Sequence, residues 1–119
     1  MHQFKKLKVW QKSIELATQV HQLTKNFPTE ERFGLVVQIN RSAVSIASNI
    51  AEGAGRNTRK EFNLFLGYAV GSAFELETQL VISNKLSYIE DDLFETIRLD
   101  VEEIQKMLYA LKKQLQVVE

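Results

Sequence analysis

The chain has no cysteine, one proline, five glycines and two histidines in 119 residues. Without cysteine there is no disulfide framework, no thiolate nucleophile and no sulfur-ligated zinc site. Hydrophobic residues nowhere approach the run of ~20 that a membrane-crossing helix needs. No basic stretch followed by an apolar run and a small-residue cleavage site is present at the start, so no signal peptide is expected. These absences lead to the expectation of a cytoplasmic protein with no membrane contact, forming one domain over residues 1–119 with a core of its own. The scarcity of proline and glycine leaves few places where a helix is forced to stop.

Charge of one sign is also lacking overall, because fifteen basic and fifteen acidic residues cancel. Their placement is nevertheless uneven. Lys5, Lys6, Lys8 and Lys12 occur with no acid among them, and Arg56, Arg59 and Lys60 form a second basic cluster. Glu90, Asp91, Asp92, Glu95, Asp100, Glu102 and Glu103 stand against Arg98 alone. A neutral molecule built this way has room for a local anion-binding patch.

Apolar residues repeat at three and four positions, the helical period. Leu7, Trp10, Ile14 and Ala17 mark a first helix over about 7–25, which Phe27-Pro28 ends. Thr29 with Glu30 and Glu31 suits the start of a second helix over about 30–54, stopped by Gly53 and Gly55. Thr58 and Glu61 have the spacing of a capping box and open a third over about 58–86. Phe62, Leu66, Ala69, Ala73, Leu76 and Leu80 form its seam. Phe94, Ile97, Val101, Ile104, Leu108, Leu111 and Leu115 form that of a fourth, over about 91–116. Sustained 3-4 seams and short connections predict an all-α fold, an up-down-up-down antiparallel four-helix bundle.

The second helix is unusual. Leu35, Ile39, Ala43, Ile46 and Ile50 form one apolar stripe, and Val37, Val44, Ala47 and Ala51 a second on nearly the opposite side. Between them runs a polar seam of Gln38, Arg41, Ser45, Asn49 and Glu52. Two apolar faces need two partners, so this helix is expected at the centre of the bundle and also against another subunit. The seam is read as a buried polar layer bonding internally, to Glu75, Glu77 and Gln79 of the third helix, or across a subunit boundary. Gly67 and Gly71 share a face of the third helix and predict a close backbone approach there.

The catalytic and ligand-binding patterns fail in turn. A two-metal carboxylate site in a bundle needs Glu-x-x-His, and the residue three before His21 is Thr18. The run Gly53 to Lys60 lacks the Gly-Lys-Ser/Thr ending of a phosphate loop and follows a helix instead of a strand. No Ser-His-Asp spacing is evident, so no catalytic residue, metal, cofactor or small-molecule substrate is assigned. The candidates that remain are cationic: Lys5, Lys8 and Lys12 on one helical face, Arg41 in the seam, and Arg56, Arg59 and Lys60 in a basic turn. With no recognition motif and no stacking platform evident, they predict phosphate-led, weakly sequence-specific binding.

One ordered series of residues extends over most of the chain. Phe4-x-x-Leu7-x-Val9-Trp10-Gln11-Lys12 is followed by Thr24-x-x-Phe27-Pro28-x-Glu30-x-Arg32-Phe33-Gly34-Leu35. Then come Gln38-Ile39-x-Arg41-Ser42-Ala43-Val44-Ser45-Ile46-x-Ser48-Asn49-Ile50-Ala51-Glu52-Gly53, Phe65-Leu66 and Glu75-Leu76-Glu77-Thr78-Gln79-Leu80. This series closely resembles the four-helix-bundle proteins encoded within intervening sequences of bacterial 23S ribosomal RNA genes, relatives of the accessory protein of diversity-generating retroelements. The resemblance implies a homo-oligomer, a cyclic pentamer, that binds nucleic acid through a basic surface around the ring. The combined expectation is a non-enzymatic oligomeric bundle that binds RNA or other nucleic acid. The alternative is a protein–protein assembly or adaptor module in which the seam (Gln38, Ser45, Asn49, Glu52, Glu75, Glu77) sets subunit pairing.

Overall fold

The 3-4 stripes meet across four helices. The computed structural model describes residues 3–116 and contains α1 (Lys8–Thr24), α2 (Leu35–Ala54), α3 (Arg59–Lys85) and α4 (Asp91–Leu115). Short 3-10 turns occur at Phe4–Lys6 and Thr29–Glu31, and no strand occurs among the described residues. Each helix lies against the next in sequence, and α4 returns beside α1. Four- and five-residue links at 55–58 and 86–90 fold α2, α3 and α4 back on one another. The product is an up-down-up-down bundle of 50 × 23 × 21 Å.

The α3 seam is buried at every expected position, from Phe62 to Leu80, and meets Ile39, Ala43, Ile46 and Ile50 of α2 in one core. Ile97, Val101, Ile104, Leu108 and Leu115 of α4 complete it. The contribution of α1 is offset from its expected stripe. Val9, Ser13, Leu16, Val20 and Thr24 face inward, while Trp10 and Ala17 sit at the margin and Ile14 is 41% exposed. Ser13 is tolerated there because its hydroxyl donates to the Val9 carbonyl at 2.7 Å.

Both ends of α2 differ from the expected ones. Thr29 caps no helix. It begins a separate 3-10 turn, and α2 starts six residues later, after Gly34. The Glu31 carboxylate takes the capping place at long range, with Oε1 3.5 Å from the Leu35 N–H and Oε2 accepting from the Tyr88 hydroxyl at 2.9 Å. At the other end Gly53 lies inside the helix, not beyond it. A Cβ there would stand 2.7 Å from Phe65 Cβ and 3.0 Å from Phe62 Cδ1, so this glycine lets α2 and α3 close together.

The close approach expected at Gly67 and Gly71 is absent within the chain. Gly71 faces open space, and Gly67 has only the Lys112 ammonium within 4 Å of where its Cβ would be. The α3–α4 turn closes with a left-handed residue that is not glycine: Ser87 at φ 64°. Its neighbours make the paired bonds of a Schellman motif, Tyr88 N–H to Ser83 O and Ser87 N–H to Asn84 O, both 2.9 Å.

Candidate nucleic-acid interface and the polar cleft

Up-down topology brings together the start of α1, the end of α2, the start of α3 and the end of α4. The two basic clusters of the sequence thus come to one end of the bundle, where Lys112 and Lys113 of α4 join them. Helix starts and ends alternate there, so the helix dipoles largely cancel and side chains set the field. At the far end Glu30, Glu31, Glu90, Asp91 and Asp92 gather. Lys25, Arg32 and Lys85 lie among these acids, so the neutral chain has one strongly basic end and a far end that is only weakly acidic.

The cations of the basic end are not equally available. Lys5, Lys8 and Lys60 are exposed, and their ammonium groups have no partner among the described residues. Arg56 donates to Glu52 Oε1 at 3.0 Å and lies over the Phe65 ring, 4.6 Å from its centroid. Arg59 donates to the Gln114 carbonyl at 2.9 Å, fastening the start of α3 to the end of α4. Lys12 lies against the acidic flank of α4, 3.1 Å from Glu103 and 3.7 Å from Asp100. The Glu103 bond, with the acids around it, raises the Lys12 pKa above the usual lysine value. Arg41 is farther away: fifteen residues from Arg56 on the α2–α3 side, it is roughly 22 Å along the axis. Of the cations read as one surface, Lys12 is neutralised by neighbours and Arg41 belongs elsewhere.

Arg41 opens onto a polar cleft of about 650 Å³ between α2 and α3, lined also by Gln38, Ser42, Ser45, Ser72, Glu75 and Gln79. Ser42 Oγ donates to Glu75 Oε1 at 2.9 Å, the Ser45 and Ser72 hydroxyls bond each other at 2.9 Å, and Asn49 Nδ2 donates back to Ser45 O and Oγ. Gln79 Oε1 is buried and accepts no bond. Glu52 lies beyond the cleft, paired with Arg56, and Glu77 is on the α4 side of α3, accepting from Gln105 Nε2 at 2.8 Å.

Ser42 and Ser72 were missed in the sequence, yet a signal existed. Positions 38, 42 and 45 have the 4-3 spacing that 79, 75 and 72 show when read backwards, so two antiparallel helices set them opposite one another, and 42–75 and 45–72 are the bonded pairs. The outer stripe of α2 divides as well: Val37 and Val44 are exposed, Ala51 is half-buried, and Ala47 is covered within the chain.

Among the described residues no group of three or more His, Asp or Glu is placed to hold a metal ion; His2 lies outside them, and His21 is exposed. No helix of the described chain is long and apolar enough to cross a membrane. The fold and its charge define a class: a small antiparallel helical bundle with a polar α2–α3 joint and one basic end.

The family follows from comparison. Residues 5–110 match the family model of the 23S rRNA-intervening sequence protein, and the chain belongs to that family. A crystal structure of a protein of unknown function from the S23 ribosomal protein family of Bacteroides thetaiotaomicron is similar, with 34% identity and a TM-score of 0.82. The match covers 88% of this chain and 95% of that one. No curated protein matches the chain.

Proposed function

We propose that this protein is a non-catalytic, cytoplasmic oligomer that binds RNA or another nucleic acid through the basic end of its bundle. One observation carries the reading: the fold collects at a single end cations that are far apart in sequence, and leaves the ammonium groups of Lys5, Lys8 and Lys60 exposed and without a partner among the described residues. Such cations recognise phosphate by charge, and binding strength then falls with salt. The polar groups of the α2–α3 cleft largely bond to one another, which supports a structural role for them. Subunit pairing is assigned to the exposed α2 residues Val37 and Val44, in the ring of five that the family resemblance implies. Each copy adds its basic end to the assembly, so a ring multiplies a modest monomer footprint.

The test is anisotropy of labelled RNA between about 50 and 200 mM salt, the range over which phosphate-led binding weakens by orders of magnitude. Lys5→Glu, Lys8→Glu and Lys60→Glu together are expected to abolish retention at the upper salt, with the fold intact by circular dichroism. Undetectable binding by the unmutated protein at near-physiological salt refutes the reading and leaves a protein–protein assembly module. Light scattering checks the oligomer, and a monomer mass removes the ring from the proposal.

A further inference from the structure

Gly67 has no structural explanation inside the chain. A glycine in mid-helix costs about 1 kcal/mol relative to alanine, yet no backbone outside its own helix comes within 4 Å of where its Cβ would be, and the nearest neighbour is the Lys112 ammonium at 3.4 Å. What the missing side chain leaves is a groove of about 610 Å³ on the outer side of α3 and α4. Lys60, Leu64 and Tyr68 recur at four-residue intervals along one wall, Gly67 lies beside them, and Lys112 forms the other wall. Leu64 and Tyr68 are 54% and 50% exposed, large apolar surfaces that the monomer does not cover. Tyr68 is held from behind by Phe65, edge to face at 5.3 Å, and Phe65 in turn carries the Arg56 guanidinium.

The groove is a continuation of the basic end. Its one acid, Glu61, accepts from the Thr58 hydroxyl at 3.1 Å and keeps its charge, against the two cations Lys60 and Lys112 of the same lining. Lys112 is held in place by the carbonyl and side-chain oxygens of Asn63, at 3.0 and 3.1 Å. An ammonium has three protons, so one remains for a ligand. An aromatic ring beside an aliphatic wall, with cations at both margins, matches an unpaired base on its ribose-phosphate.

We infer that the α3–α4 groove binds single-stranded RNA, with a base stacked on Tyr68 and the adjoining phosphates held by Lys60 and Lys112. This rests on the nucleic-acid reading above and names its substrate form. Duplex RNA keeps its bases inside the stack and cannot use the ring.

The experiment compares a labelled oligouridine with an RNA duplex of equal length, for the whole protein and three variants. Tyr68→Ala is expected to weaken oligouridine binding roughly ten-fold and to leave duplex binding and its salt slope unchanged. Tyr68→Phe keeps the ring and the affinity. Gly67→Leu fills the groove and loses oligouridine binding while the melting temperature holds or rises, an outcome that damage to the fold does not produce. If Tyr68→Ala binds both RNAs as the parent does, while the lysine reversals abolish binding, the stacking site is wrong and the phosphate-led reading survives. Failure of the unmutated protein to bind either RNA at low salt refutes both. A fall in solution mass on Tyr68→Ala, with RNA affinity per subunit unchanged, makes the groove a subunit interface and overturns the inference.

Discussion

The α2–α3 joint and the α1–α4 joint hold the same bundle together in opposite ways. Between α2 and α3 small residues (Ser42, Ala43, Ala47, Gly53, Ala69, Ala73) alternate with the large apolar ones, and at Gly53 the two helices close to a distance that leaves no room for a Cβ. Their polar groups are neutral hydrogen bonds with one carboxylate, Glu75. Between α1 and α4 the link is ionic and partly exposed, with Lys12 reaching Asp100 and Glu103. The close packing at Gly53 tolerates no change of size there. Long, solvated ion pairs bend to accommodate one and contribute little. Stability is therefore concentrated in the α2–α3 joint, and sequence there is constrained by shape.

The largest expected effect tests the steric side of that contrast. Gly53→Ala puts a methyl 2.7 Å from Phe65 Cβ and 3.2 Å from the Phe62 carbonyl, neither of which is the end of a flexible chain. The helices must separate, at a cost of about 2 kcal/mol by the measure of overpacked cores, despite the better helix propensity of alanine. Urea denaturation reads it as a lower midpoint at unchanged slope. Gly71→Ala is the control: its Cβ meets nothing, so stability holds or rises. Equal losses at the two glycines contradict a close-packed α2–α3 joint.

The next effect is smaller and tests the polar side. Ser42→Ala removes the bond to Glu75 from a residue that is nearly buried, while the exposed carboxylate regains water. A loss of about 1 kcal/mol is expected, and it persists at high salt because the lost bond joins the carboxylate to a neutral hydroxyl, not to a cation.

These sites differ in how far the sequence displays them. The α3 and α4 seams and the Thr58 cap are legible, because periodicity and capping depend on near neighbours in the chain; Glu61 N–H does bond to Thr58 Oγ at 3.0 Å. The start of α2 is not legible. Thr29-Glu30-Glu31 has the composition of a helix start, but Glu31 is drawn to Tyr88, fifty-seven residues away, and the chain turns once before the helix begins. The seam shows as a stripe on α2, and its partner Glu75 is legible with it, but Ser72 is not, and Glu77 is assigned to the seam although it faces Gln105. The basic clusters are visible as charge, but their meeting at one end, and the loss of Lys12 to α4, depend on tertiary placement. The Tyr68 groove is the least visible of all, since an exposed tyrosine and a helical glycine become a feature only when α4 supplies Lys112.

The smallest effect tests the ionic joint. Lys12→Gln is expected to cost at most about 0.5 kcal/mol at low salt, since the lysine side chain is 27% exposed and its partners are more so. In 1 M salt the screening length drops to ~3 Å, and the difference from the parent should vanish, whereas that of Ser42→Ala remains. The pH dependence gives a second handle with a definite sign. The pKa of Lys12 is raised, chiefly by its bond to Glu103, so its contribution is complete below the usual lysine value and is lost only as pH climbs through the raised one. Glu95 is lowered by its bond to Arg98, and Glu102 by Lys106 and then Arg98, so those contributions are present above the ordinary carboxylate range and fade as pH falls through the lowered values. Thermal melts of the parent should therefore be flat from about pH 5 to 10, with the Lys12→Gln difference constant across that window and shrinking only above it. A difference that shrinks between pH 6 and 8 places the titrating group outside the α1–α4 joint and removes the basis for treating that joint as a set of ordinary surface ion pairs.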